Sequence, residues 1–354
     1  MRERMKKPIS MSLFHTFSPE IAHKLALNYL KLGLGPKKRH RNRNTILETT
    51  VAGIRLDNPI GLSAGFDKNA EAVTPLYNLG FGFIEIGAVT PKPQDGNPKP
   101  RVFRVDGSAI INRLGFNNEG MEAVKTRLSK KKKEAIIGLN LGSNKDTKER
   151  SKDFSEVLKC CGNFVDFATI NVSSPNTKAL RTLQSSNKLK EVIDTVLEAN
   201  STLRRKLPIF LKISPDLNDN ELLDIVNVSL KTQISGLIAT NTSTGRSNVD
   251  PKWKDEPGGL SGPPIFQQST QILAKIAVMT ENKIPLIGVG GVSSAKDAYA
   301  KICAGASAIQ LYSSLTIYGP RLISSLLDDL TELITANGFT NISEAVGTKK
   351  FDWV

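Results

Sequence analysis

The sequence predicts an α/β fold: a closed (β/α)8 barrel with an antiparallel hairpin insertion and a small helical domain at the N-terminus. From residue 55 onward, eight short apolar runs alternate with longer segments of helical periodicity. Eight strand–helix units is the number that closes a parallel barrel of the TIM type. The chain has 354 residues, 39% of them hydrophobic, which is enough for one large core.

The eight runs are short enough to be buried strands, and polar or glycine residues end most of them. They cover residues 59–62, 83–86, 136–139, 165–170, 209–211, 234–239, 286–289 and 308–311. Between them, segments such as 219–230 and 294–304 show helical spacing. The gap from 91 to 135 is too long for one helix. Within it, 101–105 and 108–112 flank Asp106-Gly107, a hairpin signal that predicts an antiparallel insertion over one end of the barrel.

The N-terminal segment contains most of the excess positive charge. Residues 1–43 have 11 Lys or Arg and two Glu, a net +9 of the total +14. Ser18 and Pro19 predict a helix start, and Gly33 with Pro36 predicts its end. One predicted face is apolar and the other polar: Ile21, Ala22, Leu25, Ala26, Tyr29 and Leu32 against Glu20, Lys24, Asn28 and Lys31. A shorter apolar piece, 11–17, precedes this helix, and the basic run 37–41 follows it.

Two interpretations of this segment are open from its composition. Amphipathic helices with cationic flanks suit the surface of an anionic membrane. Alternatively, the helix packs on its own domain and the basic residues are solvated. We predict domain limits of 1–45 for the helical segment, 46–345 for the barrel and 346–354 for a C-terminal tail.

Several function classes are excluded by what the sequence lacks. No run approaches the roughly 18 to 20 apolar residues that span a bilayer. Three cysteines give neither a disulfide framework nor a metal-ligand spacing. Aromatics are 6% and no recognition motif accompanies the charge, so we expect no nucleic-acid partner. The histidines, His15, His23 and His40, all precede the barrel, which excludes a barrel triad or histidine metal site; we expect no metal.

The chemistry is therefore expected at the ends of the barrel strands. The most informative stretch is 171–177, Asn-Val-Ser-Ser-Pro-Asn-Thr, which follows a buried run and offers two hydroxyls and two carboxamides on a rigid turn. Other strand ends provide Asn140, Lys212 and residues 63–68, 240–242, 290–291 and 312–313. Amides, hydroxyls and two lysines without metal ligands indicate an organic cofactor that supplies the difficult step.

These stretches match a known family in order along the chain. The matching motifs are 64–68, 90–94, 112–117, 140–142, 171–177, 180–184, 212–217, 239–242, 258–262, 288–291 and 310–312. From about Phe17 to the last barrel helix, the chain resembles the class 2, quinone-dependent dihydroorotate dehydrogenases. Class 1 relatives use Cys as the base and lack the N-terminal extension. Here Ser174 is at the base position and the extension is present.

The resemblance implies one FMN per chain and oxidation of (S)-dihydroorotate to orotate, with electrons passing to a membrane quinone in pyrimidine biosynthesis. Ser174 matches the base that removes the C5 proton. Lys212 matches a cation near the flavin. The substrate positions are Lys68, Asn112, Arg113, Leu114, Gly115, Phe116, Asn171, Asn176, Asn241 and Thr242. The FMN positions are Ala64, Gly65, Phe66, Asp67, Lys68, Ala88, Asn140, Asn171, Lys212, Thr240, Gly262, Gly291, Tyr312 and Ser313. The quinone tunnel positions are His23, Ala26, Tyr29 and Arg104.

The same resemblance implies a monomer, bound peripherally to the cytoplasmic face of the cell membrane, or to the inner mitochondrial membrane in a eukaryote. Two departures stand out. Ala88 replaces a Ser or Thr that is common in the family, and Met1 to Ser10 match no family segment. Two rival functions remain: a Schiff-base aldolase that uses a strand-end lysine, and a flavin-binding protein without turnover.

Overall fold

The computed structural model describes residues 16–35, 45–130, 134–177, 180–184 and 186–354. The strands are β1 Thr49–Val51, β2 Ile54–Leu56, β3 Ile60–Leu62, β4 Phe83–Val89, β5 Val102–Val105, β6 Ala109–Asn112, β7 Ile137–Leu141, β8 Phe167–Asn171, β9 Ile209–Ile213, β10 Gly236–Ala239, β11 Gly259–Ser261, β12 Leu286–Val289 and β13 Ala308–Leu311. The helices are α1 Pro19–Lys31, α2 Val73–Tyr77, α3 Met121–Ser129, α4 Arg150–Cys161, α5 Ser186–Ser201, α6 Asp219–Thr232, α7 Phe266–Met279, α8 Ala295–Cys303, α9 Ser313–Tyr318 and α10 Arg321–Ala336.

Eight parallel strands close the barrel in the order β3, β4, β7, β8, β9, β10, β12 and β13. Each lies within or overlaps one of the predicted apolar runs, so the predicted fold class is confirmed. Helices cover the outer surface of the barrel. Most of the outward-facing aliphatic side chains of the strands join one buried cluster with these helices.

The lower half of the barrel interior is apolar and closely packed. Three phenylalanine rings fill it, and each ring lies against a glycine of a neighbouring strand: Phe83 on Gly61, Phe167 on Gly138 and Phe210 on Gly236. A Cβ added at Gly138 would lie 2.1 Å from the Phe167 ring, so no larger residue fits there without a rearrangement. The short hairpin β1–β2 closes this end, with Val51 and Leu56 in the same cluster. Any ligand must therefore enter from the C-terminal ends of the strands.

The predicted hairpin forms from β5 and β6, with Val105 opposite Ala109 across Asp106-Gly107. Both turn residues have positive φ, +48° and +68°, as a tight primed turn requires. The structure adds a third strand, β11, which pairs with β6 in an antiparallel sheet over the barrel mouth. Strand β11 has only three residues, and their sequence alone does not predict a strand. The strand is defined by its pairing with β6.

Helix α1 begins after Ser18, although the Ser18 side chain makes no cap hydrogen bond, and Gly33 follows its end with φ +71°. Ala22 and Leu30 are buried, whereas the outer apolar residues Ile21, Leu25 and Leu32 are exposed. The basic run 37–41 and residues 11–15 of the preceding apolar piece lie outside the described residues. No helix in the described ranges is both long and apolar enough to traverse a bilayer.

The C-terminal residues pack on the barrel helices. Trp353 contacts the Phe266 ring of α7 edge to face, at 6.1 Å between centroids. The backbone amides of Gly347 and Lys349 donate to carbonyls at the end of α8. The domain limits at residues 45 and 345 remain a prediction.

Candidate active site

A cavity of about 1920 Å³ opens at the C-terminal ends of the barrel strands and continues outward to α1. Strand ends, the three-stranded sheet, α1 and α9 form its walls. Sites for a single drug-sized ligand are usually roughly 300 to 1,000 Å³. The cavity therefore has room for more than one ligand.

The inner end of this cavity contains a row of buried side-chain hydrogen bonds. Glu85 on β4 is fully buried and accepts from Asn140 Nδ2 at 2.6 Å and from Gln310 Nε2 at 2.5 Å. Asn171 Nδ2 donates to Asn140 Oδ1 at 2.9 Å, and Asn241 Nδ2 donates to Asn171 Oδ1 at 3.3 Å. Four carboxamides are thus linked to one carboxylate, those of Asn140, Asn171, Asn241 and Gln310.

Lys212 on β9 is the cation of the barrel interior. Its Nζ donates to Ser63 Oγ at 3.1 Å. Burial lowers the pKa of Lys212, and the negative charge of Glu85 partly opposes this shift. A buried ammonium at this place can stabilise negative charge on a ligand, because the surroundings screen it weakly.

The loop after β8 carries the predicted base. Ser174 is buried, and its Oγ accepts from the Asn176 backbone N–H at 3.3 Å. Asn176 Nδ2 donates to Asn112 Oδ1 at 3.2 Å, which ties the loop to the end of β6. Thr177 Oγ1 is buried and has no partner within the described part of the chain. A ligand or a bound water can therefore use this hydroxyl.

Arg181 holds the base loop against the neighbouring strand end. Its guanidinium donates to the Ser173 and Thr242 carbonyls, both at 3.2 Å, and pairs with Asp216 at 2.9 Å. Burial acts to raise the pKa of Asp216, but hydrogen bonds led by that of Ser243 lower it overall. The ion pair thus holds two loops that carry predicted substrate residues in a fixed relation.

Lys68 lies between the barrel mouth and α1. Burial lowers its pKa to about 8, with Glu20 opposing the shift and Arg101 adding to it. Among the described residues its ammonium has no hydrogen-bond partner. A ligand carboxylate is the group that such a cation would bind.

Three aromatic rings lie between α1 and the barrel. His23 is 4.8 Å from Phe66 and 6.1 Å from Tyr312, measured between centroids, and Phe66 is 5.5 Å from Tyr312. His23 Nε2 donates to the Phe66 carbonyl at 2.9 Å. Burial, with the charge of Lys68, lowers the pKa of His23 to about 3, so the ring is neutral.

The opposite side of the mouth is built on glycines. Gly291 has φ +77°, and a Cβ there would lie 2.5 Å from Phe266 Cβ. Gly262 has φ +100°, with the Ser108 carbonyl at 2.9 Å from the same hypothetical atom. Ser261 Oγ and Ser313 Oγ are 2.7 Å apart beside them. Backbone and hydroxyl groups of this kind in the cavity wall suit a phosphate group.

Helix α1 is attached to the barrel through side chains. Glu20 pairs with buried Arg101 at 2.6 Å, and Lys31 pairs with Glu71 at 2.5 Å. Arg101 also donates to the Asp95 and Asn97 carbonyls. Arg104 donates to the Phe17 carbonyl at 2.8 Å. These bonds place α1 as the outer wall of the cavity.

The cavity wall includes all the predicted residues except two. Asp67 is fully buried, and its carboxylate accepts from the backbone N–H groups of Glu71 and Ala72, each at 2.8 Å. Arg113 forms an ion pair with Glu256, and its guanidinium lies 4.5 Å from the centroid of the Phe103 ring. Both side chains therefore have partners away from the cavity wall.

Several residues that the structure brings to the site had no predicted role. Glu85 lies inside a strand rather than at its tip and was not predicted to act there. Ser63 belonged to the predicted strand-end stretch 63–68 and Gln310 to the matching motif 310–312, but neither had an assigned role, and Arg101 had none. The sequence did carry one signal for Glu85, because it is a charged residue in an otherwise apolar strand. It lies two positions after Phe83, and residues two apart on a strand point to the same face, so both point into the barrel. The described ranges contain no grouping of three or more His, Cys, Asp or Glu that could hold a metal.

Comparisons with known proteins agree on one family. The sequence profile of the dihydroorotate dehydrogenase family matches residues 46–334. The dihydroorotate dehydrogenase (quinone) of Cereibacter sphaeroides is 46% identical over 351 residues, 98% of each chain. The mitochondrial dihydroorotate dehydrogenase (quinone) of Mus musculus is 42% identical over 348 residues, 95% of this chain and 88% of the mouse protein. The Eimeria tenella enzyme in complex with ferulenol superposes with a TM-score of 0.89 and 38% identity, covering 93% of this chain and 95% of that one.

Proposed function

The chain belongs to the dihydroorotate dehydrogenase family. We propose how its cavity binds dihydroorotate, the flavin and the quinone. The protein is an oxidoreductase of pyrimidine biosynthesis that oxidises dihydroorotate to orotate and passes the electrons to a quinone. The observation that supports the proposal best is the cavity itself. Its inner wall is polar and contains Ser174, and its outer wall is helix α1.

We assign FMN, one per chain, as the flavin of this flavoprotein. The residues present fit it: the Gly291 and Gly262 backbone with Ser313 for the phosphate, and Lys212 and Asn140 for the ring. Gln310 Oε1 is buried without a partner in the described ranges, and it lines the cavity as a free acceptor. When bound, FMN supplies the acceptor for the hydride that leaves dihydroorotate.

Dihydroorotate is placed between the inner carboxamides and the base loop. Lys68 provides the cation for its carboxylate, and Asn112, Asn176 and Asn241 provide donors and acceptors for its ring amides. Ser174 takes the C5 proton. A serine hydroxyl is a weak base, so its own proton must move on. Thr177 Oγ1, three residues along the loop and unpartnered among the described residues, is the group we assign to relay it, directly or through a water: it accepts the Ser174 proton and passes its own on toward solvent.

The quinone enters beside α1, past His23, Ala26, Tyr29 and Arg104. The exposed apolar residues of α1, which include Ile21, Leu25 and Leu32, are placed to insert into the surface of an anionic membrane. We therefore propose a peripheral membrane protein, bound at the cytoplasmic face of the cell membrane, or at the inner mitochondrial membrane in a eukaryote. We propose that it acts as a monomer, because one chain forms the whole cavity.

The test is anaerobic mixing of the purified protein with dihydroorotate, followed by a quinone. We expect a yellow protein that contains FMN by chromatography, bleaches with dihydroorotate and recovers its colour with a long-chain quinone. Steady-state turnover with quinones, fumarate and NAD then identifies the acceptor. A colourless protein, or a yellow one that dihydroorotate does not bleach, would contradict the proposal.

The lowered pKa of Lys212 also fits a Schiff-base aldolase, because a neutral amine is the nucleophile in that chemistry. Borohydride reduction in the presence of a ketone substrate distinguishes the two. A covalent adduct at Lys212, located by mass spectrometry, would favour the aldolase. We expect none.

A further inference from the structure

We propose that Glu85 is a positioning residue: its carboxylate fixes the direction of the row of carboxamides Asn140, Asn171 and Asn241, and so decides which of their atoms face the substrate. The inference rests on the proposed function of this cavity. Glu85 is fully buried behind the cavity wall and acts through its neighbours.

The row has one direction throughout. Every carboxamide turns its NH2 toward Glu85 and its oxygen away from it: Asn140 to Glu85 at 2.6 Å, Asn171 to Asn140 at 2.9 Å and Asn241 to Asn171 at 3.3 Å. An ionised carboxylate only accepts hydrogen bonds, whereas a carboxamide can do either. Glu85 is thus the member of the row that cannot be reversed.

The far end of the row is fixed as well. Asn241 Oδ1 accepts from the Thr242 backbone N–H at 2.8 Å, and that group can only donate. The second NH2 contact of Asn241 is Ser173 Oγ at 3.1 Å, beside the predicted base. The Glu85 carboxylate at one end accepts and the Thr242 N–H at the other end donates. Only one orientation of the three carboxamides between them therefore gives every group in the row a hydrogen bond.

Burial makes the direction of the row decisive for ligand binding. Glu85 and Asn140 are fully buried, and Asn171 is 6% exposed, so water cannot replace a lost partner. Glu85 also determines the direction of Gln310 on its other side: Nε2 is bound at 2.5 Å, and Oε1 is left as a buried acceptor that lines the cavity. A neutral residue at position 85 would remove both constraints.

The first test is Glu85→Gln, which keeps the shape and removes the charge. The substituted carboxamide can accept from Gln310 and then present its own NH2 to Asn140. In that arrangement Asn140 and Asn171 have to reverse, against the Thr242 N–H at the far end. If the carboxamide instead accepts from Asn140, Gln310 has to reverse and turns its NH2 to the cavity. We expect the dissociation constant of orotate, measured by titration calorimetry, to rise by roughly tenfold or more. Circular dichroism melting and FMN content are measured on the same samples.

The second test moves the carboxylate by one position, with Glu85→Gln and Asn140→Asp combined. The carboxamide at position 85 then accepts from Gln310 and donates to the carboxylate at position 140. That carboxylate accepts from Asn171, so the outer row returns to its native direction. Because Asn140 is also assigned to the flavin ring, the reference for this variant is Asn140→Asp alone, with FMN content measured on both; we expect the double variant to bind orotate more tightly than either single variant. If Glu85→Gln alone does not fold, the double variant becomes the test of the inference. A double variant that does not fold or does not bind orotate would overturn the inference.

The matched control is Asp166→Asn, a buried carboxylate at the opposite end of the barrel. It accepts from the Ile137 backbone N–H at 3.0 Å and pairs with Arg205. We expect it to lower the melting temperature without changing the orotate dissociation constant. Wild-type protein that does not bind orotate overturns the proposed function together with the inference. Wild type and Glu85→Gln that bind orotate equally well overturn the inference alone.

Discussion

The two walls of the cavity differ in almost every physical respect. On the barrel wall, Glu85 and Asn140 are fully buried, Lys212 is 5% exposed, and their polar atoms bond to one another or to neighbouring side chains. On the α1 wall, Ile21 and Tyr29 remain 53% and 49% exposed. A polar, fixed wall suits a small charged substrate. An apolar wall that borders solvent suits a lipid-soluble acceptor.

The two walls are also attached differently. Closed ladders of backbone hydrogen bonds hold the barrel wall. Helix α1 is held by the Glu20–Arg101 and Lys31–Glu71 ion pairs and by the hydrogen bond of half-buried His23 to the Phe66 carbonyl. We therefore expect changes on one wall to affect one half of the reaction. We expect reduction by dihydroorotate to depend on the barrel wall and reoxidation by quinone to depend on the α1 wall.

Ser174→Ala is expected to have the largest effect. Loss of a positioned base should slow flavin reduction by dihydroorotate at least about 100-fold in anaerobic stopped flow. FMN content and reoxidation of dithionite-reduced protein by quinone should be unchanged, because α1 is not altered. Ser174→Cys should keep partial activity, since a thiol can take the same proton. Near wild-type reduction in the alanine variant would remove Ser174 from the mechanism.

Lys212→Ala is expected to act on the same wall with a smaller effect. It removes a buried cation, which should slow flavin reduction by about 10- to 100-fold or lower FMN occupancy. Ser63→Ala serves as the control, because it removes only the hydroxyl partner of Lys212 Nζ. If the two variants behave alike, packing near Ser63 rather than the charge of Lys212 is responsible.

Removal of residues 1–43 should have the opposite effect on the two half-reactions: it should slow reoxidation by quinone and leave reduction by dihydroorotate intact. All eight strands of the closed barrel lie between residues 60 and 311, so the barrel should fold, bind FMN and still be reduced by dihydroorotate. Reoxidation by a long-chain quinone should fall by roughly tenfold, and binding to anionic liposomes should weaken. High salt should weaken liposome binding of the intact protein only in part, because apolar insertion persists when charge is screened.

A milder test leaves the N-terminal segment in place. Ile21→Ser with Leu25→Ser should reduce liposome binding, since both side chains belong to the exposed apolar face. Asn28→Ser, on the same helix, is the control for helix propensity, because it removes neither a charge nor an apolar side chain. Equal loss in both variants would indicate a weakened helix rather than a lost membrane contact.

The smallest effect is expected from pH, through His23. Its pKa is about 3 in the docked helix and near 6.5 when the ring is solvated. Below pH 6.5 the undocked state therefore gains a proton that the docked state does not bind. Docking should weaken by about 1.4 kcal/mol per pH unit from 6.5 down toward 3, and this cost is absent above 6.5.

Limited proteolysis of α1 measures this effect. Cleavage at pH 5 should exceed cleavage at pH 7 in the wild type, and His23→Phe should reduce the difference. The Glu20 and Glu71 pairs also respond to acid, and they are the same in both proteins. An unchanged pH dependence in His23→Phe would assign the effect to those carboxylates.

Much of the fold and part of the site could be predicted from local patterns. Apolar runs of strand length located all eight barrel strands, and Asp106-Gly107 located the hairpin, because a primed turn needs those residue types. Residues at the strand ends were predicted together because parallel strands bring their carboxyl ends to one edge. The order of motifs along the chain indicated the family before any geometry was known.

Other features depend on pairing between distant segments. Strands β1, β2 and β11 have three residues each and lie in none of the predicted apolar runs, and β11 exists through its pairing with β6. Asp67 follows a strand end like its neighbours, yet its carboxylate caps the backbone of Glu71 and Ala72. Local sequence could not distinguish that role from ligand binding.

The sequence by itself determined the barrel, its polar rim and an amphipathic N-terminal helix, because alternation, helical spacing and turn residues are local properties. Only the tertiary structure decided which face each residue presents. Barrel closure turned Glu85 inward beside Lys212 and lined up three carboxamides from separate strands. Docking of α1 left part of its apolar face exposed. Both outcomes depend on register and packing between segments far apart in the chain, which no local pattern specifies.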